Sequence, residues 1–120
     1  MEISDRDRRK IRFLIECQLE AFQRDDAVAA FALASSEIKA KFGDPKQFIQ
    51  MVKTAYPAVY QPRSVIFEET IFVQGVPTQP VLLLSPDGTP VRAVYMMKRD
   101  FDGIWRIDGC YLVSVESKLM

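Results

Sequence analysis

Residues 85–115, SPDGTPVRAVYMMKRDFDGIWRIDGCYLVSV, decide the fold. Ser85-Pro86-Asp87-Gly88 is a turn, because proline fixes one φ angle and glycine supplies a positive one. Asp100-Phe101-Asp102-Gly103 is a second turn. TPVRAVYMMKR (89–99) and IWRIDGCYLVSV (104–115) flank it and are rich in β-branched and aromatic residues. The pattern predicts two antiparallel strands in a tight hairpin. Upstream, QPVLLL (79–84) reads as another strand and SVIFEETIFV (64–73) as the first, giving a four-stranded meander. Pro77, Pro80 and Pro90 are expected at strand starts or edges, where a missing N–H is tolerable.

Before residue 57 the hydrophobic period is helical. Ser4, with Asp7 three residues on, starts a helix over about 4–24. Ile11, Leu14, Ile15, Leu19 and Phe22 form one stripe, and Phe13, Cys17 and Ala21 an adjacent one. Together they predict burial on more than one side. Asp25 or Asp26 caps a second helix, AVAAFALA, with Val28, Phe31 and Ala32 as its apolar side. Ser35 and Ser36 can cap a short third helix, EIKAKF, which Gly43 ends. Asp44 as N-cap, Pro45 at the first helical position and Gln47 define a fourth. Its stripe is Phe48, Met51, Val52, Ala55 and Tyr56, and Pro57 stops it. PAVYQPR (57–63) reads as an extended connector because of its two prolines. Helices in one block and strands in another argue an α+β domain, with helices packed on one face of a curved antiparallel sheet.

Composition narrows the chemistry. The chain has 120 residues, room for one domain. Sixteen Lys and Arg balance sixteen Asp and Glu, so the basic excess of a nucleic-acid binder is absent. Arg6, Arg8, Arg9, Lys10 and Arg12 alternate with Asp5 and Asp7 and read as the solvated face of the first helix, or as a small anion- or membrane-facing patch. No signal peptide and no apolar run of membrane-spanning length is read, so a cytoplasmic location is expected. There, Cys17 and Cys110 are expected as reduced core residues. Histidine is absent, which removes Ser-His-Asp and Cys-His catalysis and imidazole-bound metals. No metal site, nucleotide cradle or cofactor is expected.

Alternation along the strands sorts residues into faces. Val91, Ala93, Tyr95 and Met97 share one side, and Trp105, Ile107, Gly109, Tyr111 and Val113 one side of the next strand. Arg92, Val94, Met96 and Lys98, with Arg106, Asp108, Cys110 and Leu112, make a mixed outer face. A monomer rarely exposes such a patch, so a homodimer pairing sheet on sheet is expected.

Several stretches carry a family resemblance. They are Asp102-Gly103-Ile104-Trp105-Arg106-Ile107, IECQLEAFQRDDAVAAFALAS (15–35), FGDPKQFIQMVKTAYPAVYQPRSVIF (42–67) and WRIDGCYLV (105–113). With the long first helix, they resemble the nuclear transport factor 2-like superfamily (SnoaL-like, cystatin-like α+β), and a bacterial family of unknown function within it. The resemblance spans about residues 8–115. It implies a cone-shaped α+β barrel, often dimeric, with a cavity between helices and sheet. It implies no single activity. Dehydratase-type members use histidines, absent here, and the acid and tyrosine positions of isomerase-type members have no residue-by-residue match. No catalytic residue is carried over.

The residues best placed for a cavity are Tyr56, Tyr60, Arg63, Tyr95, Asp108 and Tyr111. As core-edge phenols the tyrosines reach water or backbone; as pocket residues they bind a small molecule. Asp108 is unusual in a strand. It either pairs with Arg92 or Arg106 or serves as a buried carboxylate base. Glu68 and Glu69 point to opposite faces, so only one can face a cavity. The sequence points to a non-catalytic dimeric binding or assembly module with a small apolar cavity and an apolar ligand. The alternative is a cofactor-free isomerase, lyase or cyclase acting on a small hydrophobic carbonyl compound.

Overall fold

The structure, a computed structural model, describes residues 3–115. Helices α1 (Asp5–Gln23), α2 (Ala27–Ala32), α3 (Ser36–Phe42), α4 (Pro45–Ala55) and α5 (Pro57–Tyr60) precede strands β1 (Ser64–Phe67), β2 (Ile71–Val73), β3 (Val76–Leu84), β4 (Pro90–Arg99) and β5 (Trp105–Ser114). This is an α+β fold. The five strands are antiparallel neighbours in the order β1-β3-β4-β5, with β2 also on β3. The sheet is open at β1/β2 and at β5 and is not closed into the expected barrel.

The helix starts follow the caps. Ser4, Asp26, Ser35 and Asp44 each accept a hydrogen bond from the backbone N–H three residues on. Gly43 takes φ +84° to end α3. The connector departs from expectation. Pro57 suits the first position of a helix because the N–H it lacks has no helical acceptor, so one helical turn forms before Pro62. Three apolar stripes also need correction. Phe13 is 67% exposed and Val28 70%, and Ala32 and Ala55 are exposed too. The buried residues of α1 are Ile11, Ile15, Gln18, Leu19, Ala21 and Phe22, while α2 buries Ala30 and Phe31. Phe22, Phe31 and Phe42 pack around Phe48 of α4, with ring centroids 5.4–6.0 Å apart, within the range where edge and tilted aromatic contacts add to burial.

The expected first strand is broken at residues 68–70, and the cause lies in β3. Pro80 is inside that strand rather than at its start. Its carbonyl accepts from the Glu68 N–H, so its backbone nitrogen faces the same side and has no proton to return. The buried Gln79 side chain makes up the loss. Its Nε2 donates to the Glu68 carbonyl at 2.6 Å, and its Oε1 accepts from Thr70 Oγ1 at 2.6 Å. The ladder resumes at Ile71 opposite Thr78.

A second irregularity sets the faces of β5. Met96 pairs with Gly109 but Met97 with Ile107, leaving Asp108 as an extra residue, a β-bulge. Past the bulge the parity reverses. Cys110 and Leu112 pair with Tyr95 and Ala93 and pack against the core, whereas Tyr111 and Val113 turn outward. The uniform alternation expected along β5 is therefore overturned from Gly109 onward. The core lies between α1, α2, α4, α5 and the inner sheet face, with Val81, Leu83, Ala93, Tyr95 and Met97 at its floor.

Asp7 ties the first helix to the far hairpin. Its carboxylate accepts from Trp105 Nε1 at 3.1 Å and from Arg99 at 2.7 Å. The Trp105 hydrogen bond foremost, with Ser4 and Arg99, holds the carboxyl below its ordinary value against opposing desolvation. A carboxyl whose folded pKa is lowered adds stability above its unfolded value, about 3.9, and loses it as pH falls through the folded value. Urea unfolding of wild type and Asp7→Asn is therefore expected to show a stability gap at neutral pH that narrows as the pH falls below about 4. A gap that stays constant into strong acid would contradict this role.

Candidate functional site

A cavity of about 300 Å³ lies between the helices and the inner end of the β4–β5 pair. The α1 wall gives Gln18 and Phe22; α3 gives Ile38, Lys41 and Phe42; α4 gives Phe48, Met51 and Val52. The bulged stretch Ile107–Cys110 and Tyr95 close the sheet side. The lining is mostly apolar with a few polar groups, the usual make-up of a small-molecule site, and its volume is at the small end of such sites. Lys41 is exposed and marks the mouth.

The bulge and the α2–α3 link build the polar corner. Ile107 donates its N–H to the Leu33 carbonyl at 2.9 Å, and its own carbonyl accepts from Ser35 at 2.8 Å, so the link runs as a short parallel partner of β5. This sets Ser35 Oγ 2.6 Å from Asp108 Oδ1 as donor. The same buried Oγ accepts the Ile38 N–H that begins α3. Asp108 thus pairs with a serine. Neither expected arginine reaches it: Arg92 holds Glu68, and Arg106 holds Asp100 and Asp102.

The other polar groups are quieter. Tyr56 donates its hydroxyl to the Cys110 carbonyl at 3.1 Å, fastening the end of α4 to β5. Burial pushes the Cys110 thiol up to about 12, so it stays protonated and unreactive at neutral pH. Burial, with the nearby Cys110, pushes Tyr95 well above the ordinary phenol range, so it stays a neutral donor. Gln18 donates to the Ala30 carbonyl at 3.1 Å.

The structure brings Tyr56, Tyr95 and Asp108 to the cavity and places the other candidates elsewhere. Tyr60 donates to Asp25 at 2.6 Å, and Lys53 pairs with the same carboxylate at 3.0 Å, a clamp holding the α1–α2 turn to α4 and α5. That clamp suits Asp25, which sits at φ +58°. Arg63 is exposed beside Gly88 in the β3–β4 turn. Tyr111 is on the outer sheet face, 44% exposed. Of the two glutamates, Glu68 faces outward onto Arg92, and exposed Glu69 lies 3.9 Å from Arg8. Gln18 and Lys41 are not among the expected site residues, and Ser35 is expected only as a helix cap. Gln18 carried a signal, a polar residue between Ile15 and Phe22 on the stripe of α1.

Among the described residues no group of three or more carboxylates or thiols converges to hold a metal ion. A second hollow of about 380 Å³ lies by Ile3, Phe72 and Trp105, but its charged groups, Asp7 and Arg99, already pair with each other. Among the described residues no helix is long and apolar enough to cross a membrane.

A family model, Domain of unknown function (DUF4864), matches residues 4–120. The chain belongs to the DUF4864 family. The match runs through every element of this DUF4864 domain, the bulge and cavity walls included. No curated protein and no solved structure matches the chain.

The Ser35–Asp108 contact gives a direct test of how this DUF4864 cavity is held. Ser35→Ala, Asp108→Ala and the double variant are expected to show a coupling of about 1 kcal/mol in denaturant unfolding. Ser35→Ala alone should cost about 1–2 kcal/mol, because it also removes the α3 cap. Strict additivity would show that the contact does not hold the corner together.

Proposed function

We propose that this domain is a non-catalytic dimeric binding module that holds a small, mostly apolar molecule between its helices and its sheet. The cavity is the observation that carries this reading: about 300 Å³, walled by Phe22, Phe42, Phe48 and Met51 with few polar groups. Reactive chemistry is poorly supported around it. The chain has no histidine, the Cys110 thiol is held protonated, and one oxygen of Asp108 is taken by Ser35. A second reading, a cofactor-free isomerase, lyase or cyclase, draws on Asp108 and Tyr95 sharing the cavity. Helices before an antiparallel meander, with a cavity between, also support membership of the nuclear transport factor 2-like superfamily. The free cysteines support a reducing, cytoplasmic setting.

The dimer half rests on the outer sheet face, whose members differ from those expected. Paired rows place Ile66, Leu82, Arg92 and Val113 together, beside Pro80, Val94 and Tyr111. Cys110 and Leu112 are not among them. Ile66, Tyr111 and Val113 are exposed, and Val94, though buried, lies outside the main core cluster. At the centre, Arg92 makes a bidentate pair with Glu68 at 2.7 and 3.0 Å. The face thus carries one charge of each sign within an apolar surround. A second copy related by a two-fold axis can set Arg92 against the partner's Glu68, so the face is complementary to itself.

Native mass spectrometry of gently purified protein tests both halves. Wild type is expected as a dimer with a reproducible added mass, and Val113→Glu as a monomer that keeps that mass. A bare dimer would contradict the binding half and leave an assembly role. A wild-type monomer would contradict the dimer.

A further inference from the structure

Tyr95 is in the middle of the inner sheet face, 1% exposed, and it lines the cavity. Its hydroxyl has no hydrogen-bond partner. An unpaired buried donor costs about 1–3 kcal/mol, and a phenylalanine would fill the same volume without that cost. Its cross-strand neighbours do not satisfy it. The Gln79 amide is engaged with Glu68, Thr70 and Pro80, and the Cys110 carbonyl accepts from Tyr56. Among the described residues, Tyr95 is the one cavity-lining residue with a buried side-chain nitrogen or oxygen left without a partner.

We infer that the ligand is a compact, neutral carbonyl compound whose oxygen accepts a hydrogen bond from Tyr95 Oη, with its apolar body against Phe22, Phe48 and Met51. This rests on the binding reading above and narrows it. The surroundings select a neutral acceptor over a carboxylate. Lys41, at the exposed mouth, is the one cation among the described lining residues, so an anion at Tyr95 would lose its hydration without an ion pair. The phenol, held protonated by burial, remains a donor throughout the physiological range. The Tyr95 oxygen is shielded from solvent, so an acceptor reaches it where a wall side chain gives way. Met51 and Met96, unbranched and polarisable, are the lining residues best suited to move.

The test uses two probes of one shape, 1-indanone and indane, titrated into the full-length protein and into Tyr95→Phe by calorimetry or NMR. Wild type is expected to bind 1-indanone about three- to tenfold more tightly than indane, the range one hydrogen bond supplies. Tyr95→Phe should bind both equally, with indane affinity unchanged from wild type, which also shows that the variant is folded. Equal binding of the two probes by wild type, or a preference that survives in Tyr95→Phe, overturns the Tyr95 assignment while leaving the cavity as a binding site. If neither probe binds wild type, the binding reading falls with it.

Discussion

Strand β5 carries one residue more than β4 can pair, and that residue is Asp108. Side chains alternate strictly along a regular strand, so a single unpaired residue reverses the facing of everything after it. Trp105 and Ile107 before the bulge and Cys110 and Leu112 after it all meet the helices. Without the bulge, Tyr111 and Val113 would turn into the core and Cys110 and Leu112 would turn out. The bulge also delivers the Asp108 carboxylate to Ser35, which begins α3, and α3 supplies the mouth of the cavity. One inserted residue thereby fixes the inner wall of the pocket, the membership of the outer face and the anchorage of a helix.

Pro80 imposes a matching constraint on the other side of β3. Its missing N–H interrupts the edge between β1 and β2, and the Gln79 amide supplies the donor that the proline cannot. A buried glutamine is stable here because its carboxamide is fully engaged. Glu68, next after the inward Phe67, faces outward onto Arg92, where the pair becomes the polar centre of the outer face. Two backbone irregularities, one on each side of the central strands, therefore shape the two surfaces on which the functional reading stands.

Most of the architecture was legible because its signals are local. Ser4, Ser35, Asp44, Pro45 and Gly43 act within a few residues of themselves, and the turns at 85–88 and 100–103 name their own backbone angles. What was missed depends on pairing across the chain. Nothing within β5 alone says that Asp108 lacks a partner, since that is a property of its register against Met96 and Met97. The break at 68–70 was likewise hidden, because its cause lies ten residues on at Pro80. Tyr95 and Tyr56 could be chosen as cavity residues from their parity and position. Tyr60, Arg63 and Tyr111 could not be rejected until the clamp on Asp25, the β3–β4 turn and the bulge were in place. Gln18 carries a local signal too, as a polar side chain on an apolar helix stripe.

The bulge is most directly tested by a methyl-resolved NOESY spectrum of the intact protein, comparing Leu112 with its neighbour Val113. With Asp108 bulged, the Leu112 methyls are expected to contact buried side chains of the helical core, and the Val113 methyls to contact no helix. Core contacts from Val113, with Leu112 silent, would show unbroken alternation through Asp108 and would contradict the assignment of both faces.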